Sequence, residues 1–77
     1  MIVSNRVEKK ELRIQVNGEV RSVTAQSTLN ELIAELSLPP ARIAVELNGT
    51  VVRRDQWPET ALAEGDRLEI VHFVGGG

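Results

Sequence analysis

The sequence has no cysteine and a single histidine, His72. Without thiols there are no disulfides to stabilise the chain, no thiolate nucleophile and no Cys-based metal site, and one histidine cannot build a His-rich zinc site. A self-sufficient hydrolase or metalloenzyme therefore does not fit this composition. A basic stripe is missing as well: nine Lys and Arg stand against eleven Asp and Glu, giving a formal net charge of −2. Binding to nucleic acid needs clustered positive charge, so no nucleic-acid partner is expected. No apolar run approaches the roughly 18 residues that a membrane-crossing helix requires. The segment from Met1 to Glu11 carries charge where a signal peptide has its apolar stretch, so a cytoplasmic location is expected, with no membrane partner. Nor is there room for a second core. The 77 residues suit one small domain, which buries only about 60 to 65% of its unfolded surface and depends on a modest apolar core.

Residues 1–10 are polar and lack any period that would hold them to a core; they read as a flexible extension, with a docking arm as the functional alternative. Regular alternation starts at Leu12. Leu12, Ile14 and Val16 share one face and Arg13 and Gln15 the other, the pattern of a half-buried strand. Asn17-Gly18 accepts the positive φ of a type I′ turn, so a hairpin should return through Glu19 to Thr24, with Val23 inward and either Val20 exposed or a bulge between them. Thr28 three residues ahead of Glu31 fits a capping box, and Leu29, Leu32, Ile33 and Leu36 form a helical stripe. Pro39-Pro40 cannot continue that helix, whose end is expected near Leu38. Ile43, Val45 and Leu47 alternate into a second Asn-Gly turn, Asn48-Gly49, and the short run Thr50-Val51-Val52. Arg53 to Glu59 reads as a surface connection with one short helical turn at Asp55 to Trp57, and Trp57 as a lid on the core edge. After a turn at Glu64-Gly65-Asp66, a final strand is expected over Arg67 to Val74. Strand, strand, helix, strand, short strand and final strand make an α+β domain over residues 11–74. Its compact form is a mixed sheet of four to five strands with the helix across one face and the other face open.

The chain given closes on Gly75-Gly76-Gly77 directly after Phe73-Val74. Glycine is the residue that loses most entropy on ordering, so residues 75–77 read as a flexible tail projecting a carboxylate on an arm of roughly 10 Å. Without Cβ atoms such an arm threads a channel too narrow for other residues, which is the geometry of a substrate presented to another protein's active site. A carboxylate is a poor electrophile until activated; transfer of AMP from ATP makes it a mixed anhydride open to attack by sulfur or nitrogen. A tag-like end without function is the alternative. Val71 and Phe73 point away from the helix-covered face just ahead of this tail, an apolar patch suited to docking a partner, unless Phe73 folds over its own sheet edge. His72 reads as a half-exposed strand residue and Arg53-Arg54-Asp55 as a solvated, self-paired cluster.

From Glu11 to Gly77 the chain resembles the ThiS-type sulfur carrier proteins of thiamine biosynthesis, which are small ubiquitin-like β-grasp domains. The matching stretches are Val16-Asn17-Gly18-Glu19, Thr28-Leu29-Asn30-Glu31-Leu32, Val45-Glu46-Leu47-Asn48-Gly49, Val51-Val52-Arg53-Arg54-Asp55-Gln56-Trp57, Glu64-Gly65-Asp66-Arg67-Leu68-Glu69-Ile70-Val71, and the Gly-Gly ending. Arg53 stands where the family often has Pro, and three glycines close the chain where many members have two. The resemblance implies a protein co-substrate rather than an enzyme. Gly77 would be adenylated by a ThiF-type adenylyltransferase using ATP and converted to a thiocarboxylate with sulfur from a system such as a cysteine desulfurase. It would then give that sulfur to a ThiG-type thiazole synthase. Gly75 and Gly76 would thread the partners' channels, Val71, Phe73 and Val74 would belong to the docking face, and the chain itself would bind no cofactor or metal and be a monomer when alone. Two neighbouring readings are a small subunit of molybdopterin synthase, with the same terminal chemistry and another acceptor, and a ubiquitin-like modifier joined to lysines of target proteins.

Overall fold

The computed structural model describes residues 10–73. β1 (Glu11–Val16) turns at Asn17-Gly18 into β2 (Glu19–Thr24), and β3 (Ile43–Leu47) turns at Asn48-Gly49 into β4 (Thr50–Val52). Both turns place Asn and Gly at positive φ, 52° and 86° in the first, 53° and 87° in the second. Two consecutive left-handed residues are what a type I′ turn demands, and Asn and Gly adopt them at least cost. β5 (Arg67–His72) inserts between the hairpins, so the sheet order is β2-β1-β5-β3-β4, with β5 parallel to β1 and antiparallel to β3. This is the mixed five-stranded sheet of a β-grasp domain.

The first hairpin has an unbroken register from Glu11 opposite Thr24 to Val16 opposite Glu19. There is no bulge, so residues three apart on β2 fall on opposite faces: Val23 is buried and Val20 is 67% exposed. The helix α1 (Leu29–Glu35) starts at a capping box, in which Thr28 Oγ1 accepts from Glu31 N–H at 3.2 Å and Glu31 Oε1 accepts from Thr28 N–H at 2.9 Å. Leu29, Leu32 and Ile33 bury their side chains against Ile14, Val23, Ile43, Val45, Leu68 and Ile70 of the sheet.

The helix stops earlier than the prolines require. Its last residue is Glu35, and Ser37 takes φ 59°, letting its N–H reach the Ala34 carbonyl (3.0 Å) while Leu38 N–H reaches that of Ile33 (3.3 Å). This pair of bonds is a Schellman motif, which satisfies the last carbonyls of a helix through one left-handed residue. The expected end near Leu38 is therefore corrected: Leu36 and Leu38 pack half-buried beside the core outside the helix, and Pro39-Pro40 only prevents its resumption.

The connection after β4 departs further from expectation. In place of one turn at Asp55 to Trp57, Arg54–Glu59 forms a six-residue 3₁₀ segment, and Trp57 is 1% exposed. It is a full core member rather than a lid, with its indole N–H donating to the Val52 carbonyl at 3.0 Å. That bond removes the cost of burying the one polar atom of the ring. The chain then stitches itself to the start of α1: Leu29 N–H donates to Thr60 O (2.8 Å) and Leu62 N–H to Ser27 O (2.9 Å), which carries Leu62 into the core.

Candidate functional site

β5 carries the residues that the sequence marks for docking, and the two turn asparagines fix its position. At its start, Asn48 N–H donates to Arg67 O (2.7 Å), Asn48 Oδ1 accepts from Arg67 N–H (2.9 Å) and Asn48 Nδ2 donates to Asp66 Oδ1 (3.0 Å). Further along, Asn17 N–H donates to Leu68 O (2.8 Å), Asn17 Oδ1 accepts from Ile70 N–H (2.7 Å) and Asn17 Nδ2 donates to Ile70 O (3.2 Å). Sequence reasoning assigned both asparagines to turn conformation and missed this second role. The trace of it in the sequence is the choice of Asn at both turns: Asp tolerates the same φ, but an ionised carboxylate has no N–H to donate.

On the other edge, β3 accompanies β5 to its end. His72 lies opposite Ile43, and Phe73 N–H donates to Arg42 O at 2.8 Å. The backbone is thus held as far as Phe73. Val71 and Phe73 are 57% and 55% exposed, on the face away from the core residues Leu68 and Ile70. The expected patch is there. Val74, Gly75, Gly76 and Gly77 lie outside the described residues, as do residues 1–9 of the expected extension; of the strand expected over Arg67 to Val74, β5 ends at His72 and Phe73 lies just beyond it, tied to β3 only through its N–H.

The rows of this open face can be read from the register. Val71 is opposite Ala44 on β3, and in the next row Glu69 is opposite Glu46, which in turn faces Val51 on the edge strand β4. Like charges directly opposite on a sheet face destabilise it, and neither carboxylate is ion-paired among the described residues. The apolar patch is thus bordered by an acidic row, beyond which Arg67 lines the same shallow depression as Glu46 and Glu69. Elsewhere, Arg53 Nε and Asp55 Oδ1 are 3.8 Å apart on side chains 81% and 70% exposed, as a solvated pair should be. Arg54 Nη1 donates to Pro40 O at 3.2 Å, and His72 is exposed at the strand end. Among the described residues no polar side chain is buried and no group of His, Asp and Glu is arranged to hold a metal ion. No helix there is long and apolar enough to cross a membrane.

Comparison with known proteins places that surface in a family setting. The family model described as ThiS family matches residues 14–77. A sulfur carrier protein ThiS of Bacillus subtilis is 35% identical over 65 residues, covering 83% of this chain and 98% of that protein. A thiazole synthase of Magnetococcus marinus is 41% identical over 66 residues, 86% of this chain; the chain spans only 20% of that protein's length. A crystal structure of a thiamine biosynthesis protein (ThiS) from Geobacter metallireducens superposes with a TM-score of 0.74 at 33% identity, covering 86% of this chain and all of that one.

Proposed function

The chain belongs to the ThiS family, and from that premise we propose that it is a sulfur carrier of thiamine biosynthesis whose cargo is borne on the Gly77 carboxylate. A ThiF-type adenylyltransferase transfers AMP from ATP to that carboxylate and releases pyrophosphate. The persulfide of a system such as a cysteine desulfurase then displaces AMP to give an acyl disulfide, a thiol cleaves that S–S bond and is itself oxidised to a disulfide, and the thiocarboxylate released delivers its sulfur to a ThiG-type thiazole synthase. The chain contributes no catalytic group; the partners do the chemistry, and ATP is the adenylating partner's substrate. Val71 and Phe73, with Val74 beyond them, dock the partner, and Gly75 and Gly76 pass through its channel because they carry no Cβ.

The observation that carries this reading is the extent of the family match, which begins inside β1 and runs through the closing glycines. The similarity to a thiazole synthase over that protein's ThiS-like fifth supports the choice of sulfur acceptor, because the carrier-like unit there shares a chain with the enzyme it would serve. The deciding experiment is intact mass spectrometry after incubation with the adenylating enzyme, ATP and a sulfur source. The mass is expected to rise by the difference between sulfur and oxygen, localised to Gly77, and to return to its starting value when thiazole synthase and its other substrates are added. An unchanged mass with a demonstrably active partner overturns the reading.

A further inference from the structure

The amines of this chain's side chains are confined to one stretch. Both lysines, Lys9 and Lys10, precede β1, and every basic side chain of residues 11–77, the single histidine aside, is arginine. Three of these arginines gather where β5 ends. The Arg42 carbonyl holds the Phe73 N–H, Arg54 reaches the Pro40 carbonyl two residues from Arg42, and Arg53 adjoins Arg54 with its side chain 81% exposed. Lys10 lies at the opposite pole. β1 and β5 run parallel with Gln15 beside Arg67, so Lys10, five residues before Gln15, and Phe73, six beyond Arg67, are roughly 35 Å apart at the strand rise.

Four residues follow Phe73 in the sequence. They span at most about 14 Å, and a lysine side chain adds about 6 Å, so the Gly77 carbonyl reaches the arginine pole of its own molecule but falls short of Lys10. We propose that the pole where β5 ends is kept free of amines so that an activated Gly77 does not acylate its own chain. The inference rests on the carrier reading above. In the reaction avoided, the lone pair of an unprotonated ε-amine attacks the Gly77 carbonyl, an isopeptide C–N bond forms, the C–O bond to AMP breaks, AMP leaves with the electron pair and the amine proton passes to solvent. An end tethered by four residues meets a neighbouring group within its reach at an effective concentration on the order of millimolar, so one lysine at this pole competes continuously with the sulfur donor. The resonance-delocalised guanidinium keeps the positive charge without offering a nucleophilic amine. The chain has no cysteine either, so no internal thiol intercepts the acyl group. Acylation of His72 is undone by water and leaves no linkage.

The test uses the full chain prepared with Gly77 as an α-thioester, so that activation does not depend on a partner. The native chain is expected to hydrolyse to the free acid. Arg42→Lys and Arg53→Lys, tested singly, are expected to yield a product one water lighter than the acid, at least tenfold above the native level at high dilution, with the cross-link mapped to the new lysine. The terminal α-amine is common to all the chains and cancels in the comparison. Arg53 is exposed, so Arg53→Lys keeps charge and fold, checked by an unchanged Tm. Variants that hydrolyse without cross-linking, or a native monomer that cross-links through Lys10, overturn the inference and leave the carrier reading standing. A chain that no adenylating partner activates removes the carrier reading and the inference with it.

Discussion

The side-chain amide of Asn17 makes both hydrogen bonds to the backbone of Ile70, accepting from its N–H at 2.7 Å and donating to its carbonyl at 3.2 Å. In a longer parallel ladder these two groups of Ile70 would be met by backbone groups of two successive β1 positions two residues apart, which the chain does not supply because it turns away at Asn17-Gly18. One side chain therefore extends the parallel ladder to the residue just before Val71. Glycine adopts the φ of 52° without strain, so Asn17→Gly removes the two bonds and keeps the turn. The loss is expected to be about 1–3 kcal/mol, read as a lower urea midpoint together with faster hydrogen exchange at Ile70. An unchanged midpoint would show that water replaces the amide at no cost.

The Schellman stop offers a stabilising change. Ser37 occupies a left-handed position, φ 59°, which an L-residue with a Cβ holds at a cost of about 1–2 kcal/mol, partly offset for glycine by its freer unfolded chain. Ser37→Gly is expected to stabilise the domain by about 0.5–1 kcal/mol, a Tm rise of roughly 2–8 °C for a domain of this size. A lower Tm would mean that the serine side chain contributes more than its backbone costs.

Trp57 separates packing from hydrogen bonding. Trp57→Ala leaves a large void among core side chains and is expected to cost about 3–5 kcal/mol. Trp57→Phe keeps most of the ring volume, strands the Val52 carbonyl and should cost about 1–3 kcal/mol. Chemical denaturation followed by circular dichroism measures both, because the only tryptophan is the residue removed. Equal losses for the two would assign the effect to the hydrogen bond rather than to volume.

Phe73 should be dispensable for the fold and costly for binding. It is 55% exposed, so Phe73→Ala is expected to move the Tm by no more than about 2 °C. Affinity for the adenylating enzyme, measured by calorimetry, should fall about tenfold or more if Phe73 anchors the contact. Equal affinity for the two forms would remove Phe73 from the interface.

Local signals decided what the sequence shows of this protein by itself. The alternation in β1 and β3, the Thr28–Glu31 capping box, the two Asn-Gly turns and the exposed positions of Val71 and Phe73 rest on backbone preferences and neighbours a few residues apart. These interactions are the same whatever the rest of the chain does, so the α+β architecture and the open face are readable in one dimension. The tertiary structure decided the rest. β5 joins β1 across more than fifty residues, and only that pairing brings Asn17 to Ile70. Trp57 and Leu62 enter the core because the space between α1 and the 3₁₀ segment must be filled, a demand set by volumes that no short window of sequence contains. The distance between the lysines and the end of β5 belongs to the same class: the sequence fixes which residues carry amines, and the parallel register sets how far away they are.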